Sequence, residues 1–207
     1  MTPPDLKDFF LQQVPLAFIR DSIEVLNKGY RESHEICTEG FAEPEAHDLY
    51  GHHRRATNEM GWRTTAQRHG LKTSVVPNSR RTYYHTRVTA NKVVMTESFV
   101  MHPGDLIRPA DFRGTLAQEN QLNLFGAPAG GNAASLFAIL VHGLSQHFPD
   151  RLAFIWVQFP NADCTAYLGG FDLFDHVPDL AQAIRPSRAE IAAKRTEVRQ
   201  HSDQESG

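Results

Sequence analysis

Two uninterrupted apolar runs, residues 136–141 and 152–157, limit what this chain can fold into more than anything else in it. Neither alternates apolar with polar residues, so neither leaves a face for water. Short runs rich in Ile, Val, Phe and Trp, separated by polar sequence at 143–151, predict neighbouring central strands covered on both sides. A chain of 207 residues with 41% hydrophobic content can supply those covers without staples. Cys37 and Cys164 lie far apart and in no CxxC arrangement, which argues against a disulfide framework or a cysteine-based zinc site and fits a reducing compartment. No apolar run approaches the roughly 18 residues of a membrane span, and the first residues lack the basic-then-apolar order of a secretory leader. The expectation is a soluble cytoplasmic chain with no membrane partner.

Helical sequence for the covers lies on either side of the runs. Residues 5–13 predict a short helix, and Pro15 opens a second in which Phe18, Ile19, Ile23, Leu26 and Tyr30 recur at three and four, reaching about Glu32. A third, 44–69, is weakened by Gly51 and Gly61, with a break expected near Gly61. Past Pro77 and Asn78 the period changes. Residues 81–90 and 92–101 predict a hairpin with Val88 opposite Val93, Thr86 opposite Met95 and Tyr84 opposite Glu97. Then come a helix at 111–125, a connector bearing Gly126, Gly130 and Gly131, a third core strand at 164–168, and helices at 178–184 and 187–198, the last opened by a Ser187/Glu190 capping box. The fold class expected is α+β: a mostly antiparallel sheet of four or five strands with N-terminal and C-terminal helices packed on it. Residues 1–199 would form one globular domain and 200–207 a disordered polar tail.

The net charge of −3 hides a steep gradient. Residues 1–50 carry four Lys or Arg against ten Asp or Glu, whereas residues 51–92 carry nine Lys or Arg against the single Glu59. Such asymmetry points to an anionic partner, unless the acidic segment folds against the basic one. On the hairpin, Arg81, Tyr83, His85 and Arg87 alternate with the apolar face and share a side with Thr96 and Ser98. An aromatic or imidazole ring that can stack a base, flanked by cations for phosphate, is the combination that single-stranded nucleic-acid binders use. The candidate nucleic-acid-binding residues are Arg54, Arg55, Arg63, Arg80, Arg81, Tyr83, His85 and Arg87.

Catalytic motifs fit less well, and no catalytic residue is assigned. His47, His52 and His53 lack the three- or four-residue spacing that brings two imidazoles to one metal, and His34-Glu35 begins an HExxH that Thr38 ends. His53, Asn58 and His69 follow the order of a ββα-metal nuclease but fall within one predicted helix. Glu97 is followed by Ser98 and Phe99, not by the x-Lys of the other common nuclease layout. The segment from Gly143 through Ser145 to His147 departs from a nucleophile elbow, and Asp172 with Asp175 lacks a third carboxylate. The glycines at 126–131 match no phosphate-cradling motif, and no sequence feature specifies a metal or cofactor. Three classes stand: a binding protein for nucleic acid or another polyanion; a histidine-centred hydrolase or nuclease drawing on His53, His85, His102 or His142; and a protein-interaction subunit of a larger assembly.

Overall fold

The computed structural model describes residues 3–78, 81–108, 110–124, 135–145, 147–194 and 196. Arg80, the glycines at 126–131 and the tail at 200–207 lie outside them. Three helices come first: α1 (Pro3–Gln13), α2 (Leu16–Gly40) and α3 (Glu45–Arg68). Strands β1 (Lys72–Pro77), β2 (Tyr84–Ala90) and β3 (Val93–Phe99) follow, then α4 (Asp111–Leu124), β4 (Leu136–Ser145), β5 (Phe148–Pro160), β6 (Tyr167–Asp172), a 3-10 turn over Leu173–His176, and α5 (Pro178–Ile184). All six strands form one sheet in the order β1-β2-β3-β4-β5-β6.

The fold is α+β, and four of the five strand pairings are antiparallel, as expected. The fifth, β3 with β4, is parallel, and the sheet has six strands rather than four or five. Parallel neighbours need a crossover of a dozen or more residues, and the stretch containing α4 supplies it. The two founding apolar runs lie in β4 and β5, side by side at the centre, with Val141 opposite Trp156. Their side chains feed two cores. Leu136, Ala138 and Leu140 pack with Phe10, Phe18, Ile23, Leu26 and Trp62 of α1–α3, while Phe137, Ile139 and Val141 pack with Leu116 and Ala117 of α4. Among the described residues no helix is long and apolar enough to cross a membrane.

Local departures from the sequence reading have physical causes. The second helix runs eight residues past Glu32 to Gly40, burying Ser33 and Cys37. The third is continuous through Gly61, because a Cβ there would stand 2.7 Å from Val25 Cγ2; the glycine lets α2 and α3 approach rather than breaking the helix. Gly29 does the same from the other side, where a Cβ would collide with the Asn58 amide. The hairpin pairs Ala90 with Val93 and Val88 with Met95, a slip of two residues from the expected register. A two-residue slip preserves which face each side chain takes. The third core strand starts at Tyr167, with Cys164 in the preceding turn at φ +58°. Ser187 and Glu190 do form the capping box, each side chain accepting from the other's backbone N–H at 3.2 and 2.8 Å.

Candidate functional site

The seam between β2 and β3 organises the polar residues of this protein. β1 pairs with β2 along its whole length and β3 with β4 along its whole length, but β2 and β3 share only the three pairs next to their turn. Below Val88 the strands separate. The Thr86 N–H is taken by Glu59 Oε2 of α3 at 2.7 Å. Glu59 is thus anchored between α3 and the open seam, near Glu97 of β3. Burial, and then the Glu97 charge, push its carboxyl up from about 4.5 to about 8, so at neutral pH it keeps a proton.

Glu97 ends a buried polar string. Its Oε2 lies 2.7 Å from His142 Nε2, and His142 Nδ1 lies 2.8 Å from the Tyr30 hydroxyl. Burial raises the Tyr30 hydroxyl well above the usual phenol range, so it remains a donor. A carboxylate only accepts, which assigns the imidazole proton to Nε2 and leaves Nδ1 to accept from Tyr30. Beside this string Arg54 is buried, its guanidinium 3.7 Å over the Phe99 ring and within 5.3 Å of the Tyr30 and Tyr50 rings.

On the outer side of the seam an open cleft of about 300 Å³ lies between α3 and the β1–β2 hairpin, lined by Arg55, Glu59, Arg63, Tyr83, His85 and Thr86 among others. The loop that presents Tyr83 is fixed by Asn78, whose Oδ1 accepts from the Thr82 N–H at 2.8 Å and whose Nδ2 donates to Thr82 Oγ1 at 2.9 Å. Tyr83 is 45% exposed and carries the Arg55 guanidinium 5.0 Å from its ring centroid.

The sequence-derived candidates therefore divide. Arg55, Arg63 and Tyr83 share the cleft lining, His85 borders the cleft without turning its ring into it, and Arg81 is exposed in the adjoining loop. Arg54 is 8% exposed and faces the protein's own aromatic rings. His85 and Arg87 point to the opposite side of β2, where His85 stacks on Phe112 of α4 with ring centroids 3.5 Å apart. Among the described residues the acidic N-terminus pairs with the basic segment only at Arg68 and His69, which reach Asp21. Among the described residues Arg55, Arg63, Arg81, Arg87 and Lys72 form no ion pair.

The catalytic alternatives gain little from the geometry. His53 is held by Ser33 and Thr57 at 3.0 and 3.3 Å, and His102 is exposed beside Asp105. Asp172 caps the 3-10 turn and pairs with Arg185, and burial raises the Cys164 thiol, which makes it a poorer nucleophile. Among the described residues no three His, Cys, Asp or Glu are grouped to hold a metal ion. Sequence reasoning did not place Glu59, Phe112 or Arg113 at the site. Glu59 did leave a signal, as the single carboxylate among nine cations. Compared with known proteins, the chain matches no family model, no curated protein and no solved structure.

Because the folded-state value of Glu59 lies above its ordinary one, its contribution to stability is fully present below about pH 4.5 and is lost as pH rises through about 8. Glu59→Gln keeps the acceptor for Thr86 and removes the titration. Its stability relative to the unsubstituted protein is expected to rise across that window, by at most about 1.4 kcal/mol per pH unit, and then level off. Urea unfolding of both proteins at pH 5, 7 and 9 measures this; a constant difference would show that Glu59 ionises normally.

Proposed function

We propose that the protein binds single-stranded nucleic acid, or a polyanion of similar charge spacing, in the cleft between α3 and the β1–β2 hairpin. One observation carries the reading: two arginines from α3, Arg55 and Arg63, and an exposed tyrosine from the hairpin, Tyr83, line the same cleft. The cations form no ion pair among the described residues, and Glu59, which lines the cleft beside Arg55, holds a proton at neutral pH and so does not repel phosphate. Arg55 and Arg63 are eight residues apart on α3, about 12 Å along the helix axis at 1.5 Å per residue, a span that suits phosphates about two nucleotides apart. Tyr83 would stack a base between them.

The histidine-centred enzyme is the weaker reading. His142 is fully buried with both ring nitrogens engaged, which suits it to holding Glu97 in place and not to meeting a substrate.

Fluorescence anisotropy with a labelled single-stranded oligonucleotide tests the proposal. With Arg55, Arg63 and Arg81 each neutralising one phosphate, affinity is expected to fall about twentyfold between 50 and 200 mM salt, with Tyr83→Ala costing about 1–3 kcal/mol at either salt. An isotherm unmoved by salt, or a Tyr83→Ala protein that binds as well as the original, would overturn it.

A further inference from the structure

The sheet face under α4 holds more hydrogen-bond donors than acceptors. Arg87 Nε on β2, Arg113 Nε on α4, both ring nitrogens of His85 and Thr96 Oγ1 on β3 are buried without a partner. A neutral imidazole has one N–H, so four donors are left unused: two guanidinium N–H groups, one imidazole N–H and one hydroxyl. These residues sit together. His85 and Arg113 both lie against Phe112, at 3.5 Å between ring centroids and 5.1 Å from guanidinium carbon to centroid. The other two nitrogens of Arg113 are spent on Arg108 O at 2.8 Å and Ser98 Oγ at 3.3 Å, which fixes the guanidinium and leaves Nε unused. Ser98 is two residues along β3 from Thr96, on the same face. A buried donor without an acceptor costs about 1–3 kcal/mol, and a buried charge without a counter-ion costs more. Neither Arg87 nor Arg113 is in an ion pair among the described residues, and Glu97 Oε2, which acts on Arg113 through its charge, is bonded to His142.

We propose that Arg87, Arg113, His85 and Thr96 form a site for a terminal phosphate monoester, the phosphorylated end of the strand that lies in the cleft. The charge matches: a monoester carries about −1.5 to −2 at pH 7, against two guanidiniums, whereas an internal phosphodiester carries one. The enclosure matches too. His85 is 5% exposed and Thr96 1%, so a chain cannot pass through, and an end would enter by the β2–β3 seam, unpaired below Val88, which separates the cleft from the α4 face on which the His85 ring lies. Two positive charges face the site beside the neutral imidazole: burial first, then Arg113 and Arg87, lower His85 to about 4. The site rests on the nucleic-acid reading for the strand that carries the phosphate, not for its own donors.

The test uses the full chain and oligonucleotides of about 12 nucleotides bearing a 5′-phosphate, a 3′-phosphate or no terminal phosphate. One phosphorylated end is expected to bind at least tenfold tighter than the unphosphorylated strand. Arg87→Gln abolishes that gain and Thr96→Val reduces it several-fold, since bonds to charged groups are the stronger ones. In the free protein the Thr96 hydroxyl has no partner, so Thr96→Val leaves the melting temperature unchanged or raised, which separates ligand loss from misfolding. Equal affinity for all three strands overturns the site and leaves the cleft reading intact. If no strand binds but inorganic phosphate raises the melting temperature of the original protein and not of Arg87→Gln, the site stands and the strand reading falls. A phosphorylation gain that persists in both variants overturns the assignment of these residues.

Discussion

Replacing Asn120 by Ala is expected to lower the free energy of unfolding by about 3–5 kcal/mol. This side chain, 1% exposed, is the clasp between α4, the start of β4 and the end of β5. Its Nδ2 donates to Phe137 O and Pro160 O, both at 2.9 Å, and its Oδ1 accepts from the Phe137 N–H at 2.7 Å. Truncation removes three buried hydrogen bonds and strands three backbone groups on β4 and β5 where the apolar packing admits little water. Asn120→Leu refills the volume but is expected to be no better, because the backbone groups stay unpaired. Asn120→Asp keeps the acceptor, loses both donors and adds a charge. Urea titrations of the three variants measure the order; a loss below about 1 kcal/mol for Ala would mean that the backbone finds new partners.

The second large effect is expected at His142. Removing its ring leaves the Tyr30 hydroxyl without an acceptor and the Glu97 carboxylate without a donor, both in the core, and opens a cavity beside Arg54. Breaking one member of a buried polar set costs about 3–5 kcal/mol, so His142→Ala is expected to fall in that range. Tyr30→Phe removes only the terminal hydroxyl and is expected to cost nearer 1–1.5 kcal/mol. Thermal unfolding of the pair reads the ratio. Comparable losses for both would mean that the string is not held by its central imidazole.

How far the fold could be read from the residues depended on where each signal comes from. The central strands, the amphipathic second helix and the two faces of the hairpin are set by which side chains must be dry, and that pattern is written locally. β1 was missed because an edge strand has no such pattern: its residues are exposed or half-buried along its whole length. The parallel pairing of β3 with β4 was missed because it depends on where the crossover lies, which no run of apolar residues states. Candidate site residues followed the same division. Arg55, Arg63 and Tyr83 could be chosen for charge and ring, but nothing local brings Arg113 to His85, or shows that Arg54 is drawn inward by Phe99 and Tyr30.

The brief join between Ala90 and Val93 has a mechanical consequence. A sheet stitched at its second seam by three residue pairs behaves as two leaves, a small one of β1 and β2 and a large one of the remaining strands. The large leaf carries the core runs and sets stability; the small leaf, propped by α3, sets the width of the mouth. Changes at Asn78, Thr82 and Tyr83 can therefore alter the shape of the opening while the buried foundation of the protein stays as it is.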